Sequence, residues 1–128
     1  MNVMAVFGRI WQNVHMTPSS PPEYLGQLIE SLNEPYVVID QNYVIRLAND
    51  AYIQLHNHSG ADAVLGRKCF EVSHAYSLPC DQSGESCPLS LSRESGAQER
   101  VVHIHRRSDQ DLYESIDLTP LKDSQGEI

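Results

Sequence analysis

The first fifteen residues carry apolar side chains at spacings of three and four. Such spacings place them on one face of a helix. The side chains are those of Val3, Phe7, Ile10, Trp11 and Val14. We therefore predict an amino-terminal helix over residues 1–15, followed by a Pro- and Ser-rich linker that ends at Pro22. Three alternatives stay open for the apolar stripe. It packs on the core of its own domain, or it forms a dimer interface with a second copy of the chain. In the third alternative the segment is left over from cloning or is disordered.

The pattern after this linker changes from helical to β-like spacing. Residues 23–33 repeat apolar positions at helical spacing, and Pro35 ends that helix. Residues 36–39 and 43–48 are short β-prone runs on either side of turn-forming residues, so we predict a hairpin. Asn49 or Asp50 should cap a short helix that runs to Leu55.

The second half of the chain predicts a few short helices and then two strands. A helical turn over residues 62–65 should stop at Gly66. Residues 69–90 are rich in Cys, Pro, Ser and Gly and are expected to be irregular, with one helix over residues 88–95. Residues 99–107 and 111–121 form two strands around a turn. Strands, short helices and strands again indicate an α+β fold with a mostly antiparallel sheet.

Size and charge exclude several classes of protein. A chain of 128 residues fits one domain, and nine Lys and Arg against seventeen Asp and Glu give a net charge of -8. That balance disfavours nucleic-acid binding, which requires a basic face. The sequence has no apolar run long enough to cross a bilayer, and we expect that its amino-terminal stretch is not a secretory signal. We expect a cytoplasmic protein whose three cysteines are reduced or coordinated.

The order of elements, together with certain residues, resembles the PAS family of sensory domains. The matching residues are Asp40, Ile45, Ala48, Asn49, Ala51, Tyr52, Leu65, Gly66, Arg67, Thr119, Pro120, Leu121, Asp123 and Gly126. The resemblance covers residues 23–128, so we divide the chain into an amino-terminal helix and linker (1–22) and a sensory domain (23–128). It implies an antiparallel sheet of five strands with helices across one face, enclosing a pocket for a small ligand or cofactor.

The same resemblance implies a final strand after residues 123–127, yet the sequence stops at Ile128. A missing strand would leave an open sheet edge, which is a liability in solution. We therefore expect the sequence to be part of a longer protein. The edge would be covered by another copy, by the amino-terminal segment, or not at all. A complete five-stranded sheet within one chain would contradict this expectation.

All three cysteines and one histidine fall close together in the irregular middle segment. They are Cys69, His74, Cys80 and Cys87, and thiolate and imidazole are ligands that zinc and iron–sulfur clusters prefer. The Cys-x-x-Cys pairs of zinc fingers and the ferredoxin spacings are absent from the sequence. We predict these four residues as a metal site for zinc or an iron–sulfur cluster. A Cys80–Cys87 redox pair and plainly structural cysteines are the open alternatives.

This segment also resembles a subset of PAS domains in bacterial kinases and transcriptional activators. That subset carries a Cys, a Ser-His pair, a Pro-Cys pair and a Cys-Pro pair in this order. The matching residues are Cys69, Ser73 with His74, Pro79 with Cys80, and Cys87 with Pro88. The resemblance implies a shared metal or redox role without naming the metal.

Further candidates lie on the last two strands. His103 and His105 alternate with Val102 and Ile104 and so share one face. A two-histidine metal face is one alternative, and the solvent side of a half-buried strand is the one that we favour. Glu114 falls on an otherwise apolar face, where a carboxylate must be paired. It is either a pocket residue or at a strand end that has left the core. We predict Asn49 and Glu114 as cofactor-binding residues.

No catalytic motif is present in the sequence: there is no nucleophile elbow, phosphate loop or His-Glu-x-x-His run. We therefore expect a sensory domain rather than an enzyme. It would transmit a ligand, redox or metal signal to an output domain outside this chain, such as a histidine kinase, a diguanylate cyclase or a transcription activator. A homodimer is the expected assembly. The alternative function is a ligand-free dimerisation or interaction module.

Overall fold

The computed structural model describes residues 2–6, 21–56, 59–106 and 109–122; for residues 2–6, 21–24 and Arg106 it describes the backbone alone. The strands are β1 (Asn2–Val6), β2 (Tyr36–Ile39), β3 (Ile45–Ala48), β4 (Glu99–Arg106) and β5 (Asp111–Leu121). The α-helices are α1 (Pro21–Glu30), α2 (Asp50–Leu55), α3 (Cys69–His74) and α4 (Pro88–Ser95). Two 3₁₀ turns lie at Ala61–Ala63 and Cys80–Gln82. The succession of short helices between two hairpins confirms the predicted α+β class.

The five strands form one sheet in the order β3-β2-β1-β5-β4. The hairpins β2–β3 and β4–β5 are antiparallel, as predicted. They do not pair with each other, because β1 lies between them and pairs in parallel with β2 and with β5. Met4, for example, is opposite Val38 on one side and Thr119 on the other. The amino-terminal strand therefore joins the two hairpins.

The predicted amino-terminal helix is wrong for Asn2–Val6, which form a strand; residues 7–20 lie outside the described part of the chain. Helical spacing was the local signal, but a strand between β2 and β5 gains backbone hydrogen bonds on both sides. Tertiary pairing of this kind overrides local propensity. We considered that the open sheet edge would pair with another copy, with the amino-terminal segment, or with nothing. The structure shows pairing with the amino-terminal segment, which forms β1. The expectation of a sheet that lacks a strand is accordingly wrong, since five strands lie within one chain.

The middle segment is more regular than predicted. Residues 69–90 contain α3 and a 3₁₀ turn in addition to the expected start of α4. Helix α3 has only six residues, too few for a periodic pattern to stand out, and it is anchored by buried Phe70 and Val72. It ends at Ala75, whose left-handed backbone (φ 56°) turns the chain away.

The core lies between the sheet and the helices that follow β3. Its strand residues are Val37, Ile39, Val101, Ile116 and Leu118, and its helical residues include Tyr52, Phe70, Val72 and Leu89. Val101 pairs with Ile116 across the β4–β5 hairpin, so both point into this core. Because side chains alternate along a strand, His103 then points inward as well, whereas Val102 is 60% exposed.

Candidate functional site

The structure brings two histidines from distant parts of the chain into contact. His74 is the last residue of α3, and His103 lies in the middle of β4. The Nε2 atom of His74 is 2.8 Å from the Nδ1 atom of His103. Their side chains are only 4% and 2% exposed, so water does not compete strongly for this hydrogen bond.

The hydrogen bonds around His103 fix which ring nitrogen carries its proton. Nε2 of His103 is 2.6 Å from the carbonyl oxygen of Ser86. A carbonyl oxygen only accepts, so Nε2–H of His103 donates to it. In the neutral imidazole Nδ1 then holds the lone pair, and it accepts from Nε2–H of His74. The hydrogen bond to the Ser86 carbonyl thereby leaves the lone pair of His103 on Nδ1, the nitrogen that faces His74.

Cys80 adds a thiol to this pair. One ligand atom each from His74, Cys80 and His103 lies within 4.8 Å of the other two, and in the described part of the chain this is the group of three that is close enough to hold a metal ion. Cys80 begins a 3₁₀ turn, and its carbonyl oxygen accepts from the backbone N–H groups of Ser83 and Glu85. One thiol and two imidazoles are donor types that zinc prefers.

Glu85 connects this cluster to the edge of the sheet. Its Oε1 atom accepts the backbone N–H of Ile104 on the edge strand β4, at 2.9 Å. Its Oε2 atom accepts from the hydroxyl of Tyr76 at 3.3 Å. The same oxygen is 3.7 Å from Nδ1 of His74 and 3.7 Å from Nδ1 of His103. A single carboxylate therefore faces both histidines while it protects the strand edge.

Burial is the main influence on the pKa values of His74 and Cys80. Burial, together with the neighbouring His105 and His103, lowers the pKa of His74 to about 4, while Glu85 opposes them. His74 is therefore a neutral imidazole near pH 7, as a metal ligand must be. Burial also raises the pKa of the Cys80 thiol to about 12, assisted by Cys87 and Glu85. A metal that binds Cys80 has to displace the thiol proton.

The other two predicted ligands lie beside the cluster rather than in it. Cys69 and Cys87 line an apolar cavity of about 40 Å³, together with Cys80 and His103. Their thiols are outside the group of mutually close ligand atoms, and all three cysteines are free thiols. Burial raises the pKa of Cys69 to about 12, and Cys80 and Cys87 add to that increase. Of the four predicted ligands, the structure thus brings together His74 and Cys80.

His103 is the member that the sequence analysis placed wrongly. We favoured the solvent side of the strand for His103 and His105, but His103 is 2% exposed and the side chain of His105 is 18% exposed. The strand carries apolar residues on both faces, so its own pattern did not identify the buried one. The signal was in the hairpin: Val101 and His103 are opposite Ile116 and Glu114.

A cleft of about 800 Å³ lies on the other side of His74. The rings of Tyr76, His74 and His105 form a stack along its wall, with centroid distances of 4.8 and 4.5 Å and nearly parallel planes. Nε2 of His105 is 2.5 Å from Oε2 of Glu114, which also lines the cleft. Glu114 therefore lines a cleft, and its role as a cofactor-binding residue stays a prediction.

The two oxygens of Glu114 are in different situations. Oε2 is bonded to His105, whereas the buried Oε1 has no hydrogen-bond partner among the described residues. Burial by itself would raise the pKa of Glu114, but the hydrogen bond with His105 and the charges of His105 and His56 outweigh it and lower the pKa. The cleft thus contains an ionised carboxylate with one oxygen ready to accept a hydrogen bond.

Asn49 has a structural role in place of the predicted cofactor contact. Its Oδ1 atom caps α2 by accepting from Tyr52 N at 3.0 Å and also accepts from Tyr36 N at 2.9 Å. Its Nδ2 group donates to the carbonyl oxygens of Ile29 and Glu34, both at 2.8 Å. The side chain is fully buried and lines neither cavity. All its hydrogen-bonding capacity holds the sheet and two helices together.

Comparisons with known proteins agree with this architecture. Within the described ranges, no helix has both the length and the apolar character needed to cross a membrane. No curated protein matches the chain. A family model described as the PAS fold matches residues 29–128, which is most of the sequence. The chain therefore belongs to the PAS family of sensory and signalling modules.

Proposed function

We propose that this PAS domain senses a transition-metal ion, with zinc the best fit, at His74, Cys80 and His103. The observation that carries the proposal is the convergence of one thiol and two imidazole nitrogens within 4.8 Å. The orientation of His103 supports it, since metal-bound histidines almost always donate their other N–H to a carbonyl or carboxylate. Ser86 provides that carbonyl. The domain passes the bound state to an output domain outside this chain.

The donor set favours zinc over an iron–sulfur cluster. Iron–sulfur clusters are held mainly by four cysteine thiolates. The sequence has three cysteines, and one of them belongs to the group of close ligand atoms. Zinc, in contrast, is commonly bound by mixtures of cysteine and histidine. The Cys80–Cys87 redox pair has less support, because burial raises the pKa of the Cys80 thiol and the thiolate is the reactive form.

A metal ion would replace the hydrogen bond between His74 and His103 with two coordination bonds, one to each imidazole. In the metal-free protein the proton on Nε2 of His74 links the two imidazoles. Coordination through that nitrogen moves the remaining ring proton to Nδ1, where the nearest carboxylate oxygen is Oε2 of Glu85 at 3.7 Å. Because Glu85 also holds the edge of β4, the two states differ at the sheet surface. Such a difference between two states is what a sensor requires.

The proposal is tested by zinc titration against a chromophoric chelator. We expect one zinc per chain, and we expect His103→Ala and Cys80→Ser to weaken binding at least tenfold because each removes a direct ligand. Cys69→Ser and Cys87→Ser are the matched controls: each removes a thiol outside the cluster and should change affinity less than threefold. Absence of stoichiometric zinc, or loss of binding in the control variants alone, would refute the proposed site.

A ligand-free interaction module is the second candidate. It is supported by two exposed apolar residues on the β4–β5 hairpin, Val102 at 60% and Tyr113 at 71% exposure. Val102 is opposite Ser115 and Ile104 is opposite Tyr113, so Val102 and Tyr113 share one face of the sheet. This candidate predicts a dimer at about 100 micromolar that Tyr113→Ser converts to monomer, with no effect of zinc. Sedimentation velocity with and without zinc separates the two candidates.

A further inference from the structure

We infer that the metal site is open on the side of the cleft and that a small exogenous molecule completes it. This molecule is a planar ring with one nitrogen donor for the metal and one N–H group for the protein. The inference rests on the proposed metal site and identifies the chemical signal that the site reads. Three features support it: the number of protein ligands, the position of the cluster, and the groups on the cleft wall.

The described residues bring three donors together, one fewer than a closed site has. Structural zinc sites have four protein ligands, whereas sites that bind an exogenous molecule have three and leave one position open. Glu85 faces the two histidines, but its Oε1 atom is held by Ile104 N and its Oε2 atom by the Tyr76 hydroxyl, with Oε2 3.7 Å from each imidazole Nδ1 and outside the group of close ligand atoms. Cys69 and Cys87 lie outside the group of close ligand atoms. As far as the described ranges go, the fourth position is therefore left to a molecule that is not part of the chain.

The cluster lies in the wall between two very different cavities. Cys80 and His103 line the apolar cavity of about 40 Å³, which has room for roughly one water molecule. His74 and Glu85 line the cleft of about 800 Å³, which is within the usual size range of small-molecule pockets. Of these two cavities among the described residues, the cleft is thus the one with room for a ligand larger than water beside the metal position.

The cleft wall indicates which ligand fits. The cleft is lined by the stacked rings of Tyr76, His74 and His105, and an aromatic lining of this kind suits another planar ring. The buried Oε1 atom of Glu114 has no hydrogen-bond partner among the described residues, and such an orphaned acceptor is costly unless a donor reaches it. A planar heterocycle with an N–H group satisfies both features, and its second nitrogen is a metal donor.

The test uses the domain loaded with Co²⁺, whose visible absorption reports the coordination of the metal. Imidazole is the probe, and 1-methylimidazole is the matched control because it has the same donor nitrogen without the N–H. We expect imidazole to change the cobalt spectrum while cobalt stays bound, as measured by dialysis. Binding of 1-methylimidazole should be about tenfold weaker, the usual effect of losing a hydrogen bond to a charged group. In Glu114→Gln the difference between the two probes should become much smaller.

Several results would overturn the inference. A spectrum that imidazole leaves unchanged means that the protein closes the site by itself, for instance through Glu85. Equal binding of both probes to the unaltered protein, or stronger binding of azide than of imidazole, means that Glu114 does not select the ligand. Removal of cobalt from the protein by imidazole means that imidazole competes with the protein for the metal and does not fill a fourth position on it. Failure to bind cobalt at all removes the proposed function as well, so that the two failures are distinguishable.

Discussion

Nε2 of His74 and Nδ1 of His103 are 2.8 Å apart although the two residues are separated by 29 positions in the chain. Helix α3 and strand β4 contribute one imidazole each, and the carbonyl of Ser86 sets the tautomer of the second. Together with the thiol of Cys80, this pair forms the candidate metal site. Two of its three residues come from the segment that the sequence predicted to be irregular.

Asn49 should be among the side chains on which the stability of the fold depends most. Asn49→Ala removes the cap of α2 and leaves the carbonyl oxygens of Ile29 and Glu34 without their donor. We expect a loss of about 2 to 4 kcal/mol in the free energy of unfolding, measured in urea. Asp50→Ala, on the exposed neighbour, is the control. A loss below about 0.5 kcal/mol for Asn49→Ala would be inconsistent with the observed hydrogen bonds.

The central position of β1 can be tested with a single proline. Met4 lies opposite both Val38 and Thr119, and proline in a central strand removes a donor that the sheet needs. We expect Met4→Pro to destabilise the protein by about 1 to 3 kcal/mol. Hydrogen exchange should become faster in β2 and β5, whereas amides shared between β4 and β5 should keep their protection. Unchanged exchange in β2 and β5 would show that β1 does not pair there in solution.

Cys69 should be an unreactive thiol. Burial raises its pKa to about 12, so at pH 8 the thiolate fraction is about a thousandfold smaller than in a free cysteine with a pKa near 8.5. We expect alkylation by iodoacetamide to be at least about 100-fold slower than that of free cysteine. Zinc should protect Cys80 from alkylation without further slowing Cys69. Fast alkylation of Cys69, or its protection by zinc, would argue for the ligand set predicted from the sequence.

Asp40 should make the β2–β3 hairpin sensitive to acid. Burial alone would raise its pKa, but bonds from Arg46 and from the backbone N–H groups of Val44 and Asn42 lower it below the ordinary 3.8. The ionised form is therefore the stabilising one. Its contribution is complete above about pH 4 and is lost as the pH falls through the lowered pKa.

Thermal unfolding between pH 2 and pH 6 measures this effect. Asp40→Asn should flatten the fall in stability below pH 4, by a few tenths of a kcal/mol because the carboxylate is only partly buried. Asp62→Asn, on an exposed aspartate, serves as the control. An equal pH dependence in the unaltered protein and in Asp40→Asn would contradict the hydrogen bonds assigned to this carboxylate.

Local patterns predicted the hairpins and helices α2 and α4 because each has its own signals. The turn after Ile39, the cap at Asn49 and the proline that starts α4 act within a few residues. Strand β1 could not be found in this way. Its partners are residues 36–39 and 117–121, and the gain from pairing with them is invisible in the spacing of its own side chains.

The candidate site was predicted in part for a similar reason. Residue types alone identified His74 and Cys80, since clustered thiols and imidazoles suggest a metal. His103 required the register of the β4–β5 hairpin, in which Val101 is opposite Ile116 and His103 is opposite Glu114. A shift of one residue in that register would have buried Val102 and exposed His103. Glu85 could be identified only from the path of the loop that carries it along the edge of the sheet, and that path has no signature in the sequence.

X-ray absorption spectroscopy of the domain loaded with zinc tests the central claim most directly, because it counts sulfur and nitrogen neighbours of the metal. Our account predicts one sulfur at about 2.3 Å and two or three nitrogens at about 2.0 to 2.1 Å, the third being an added imidazole. Two or three sulfur neighbours would contradict it and would mean that Cys69 or Cys87 binds the metal together with Cys80.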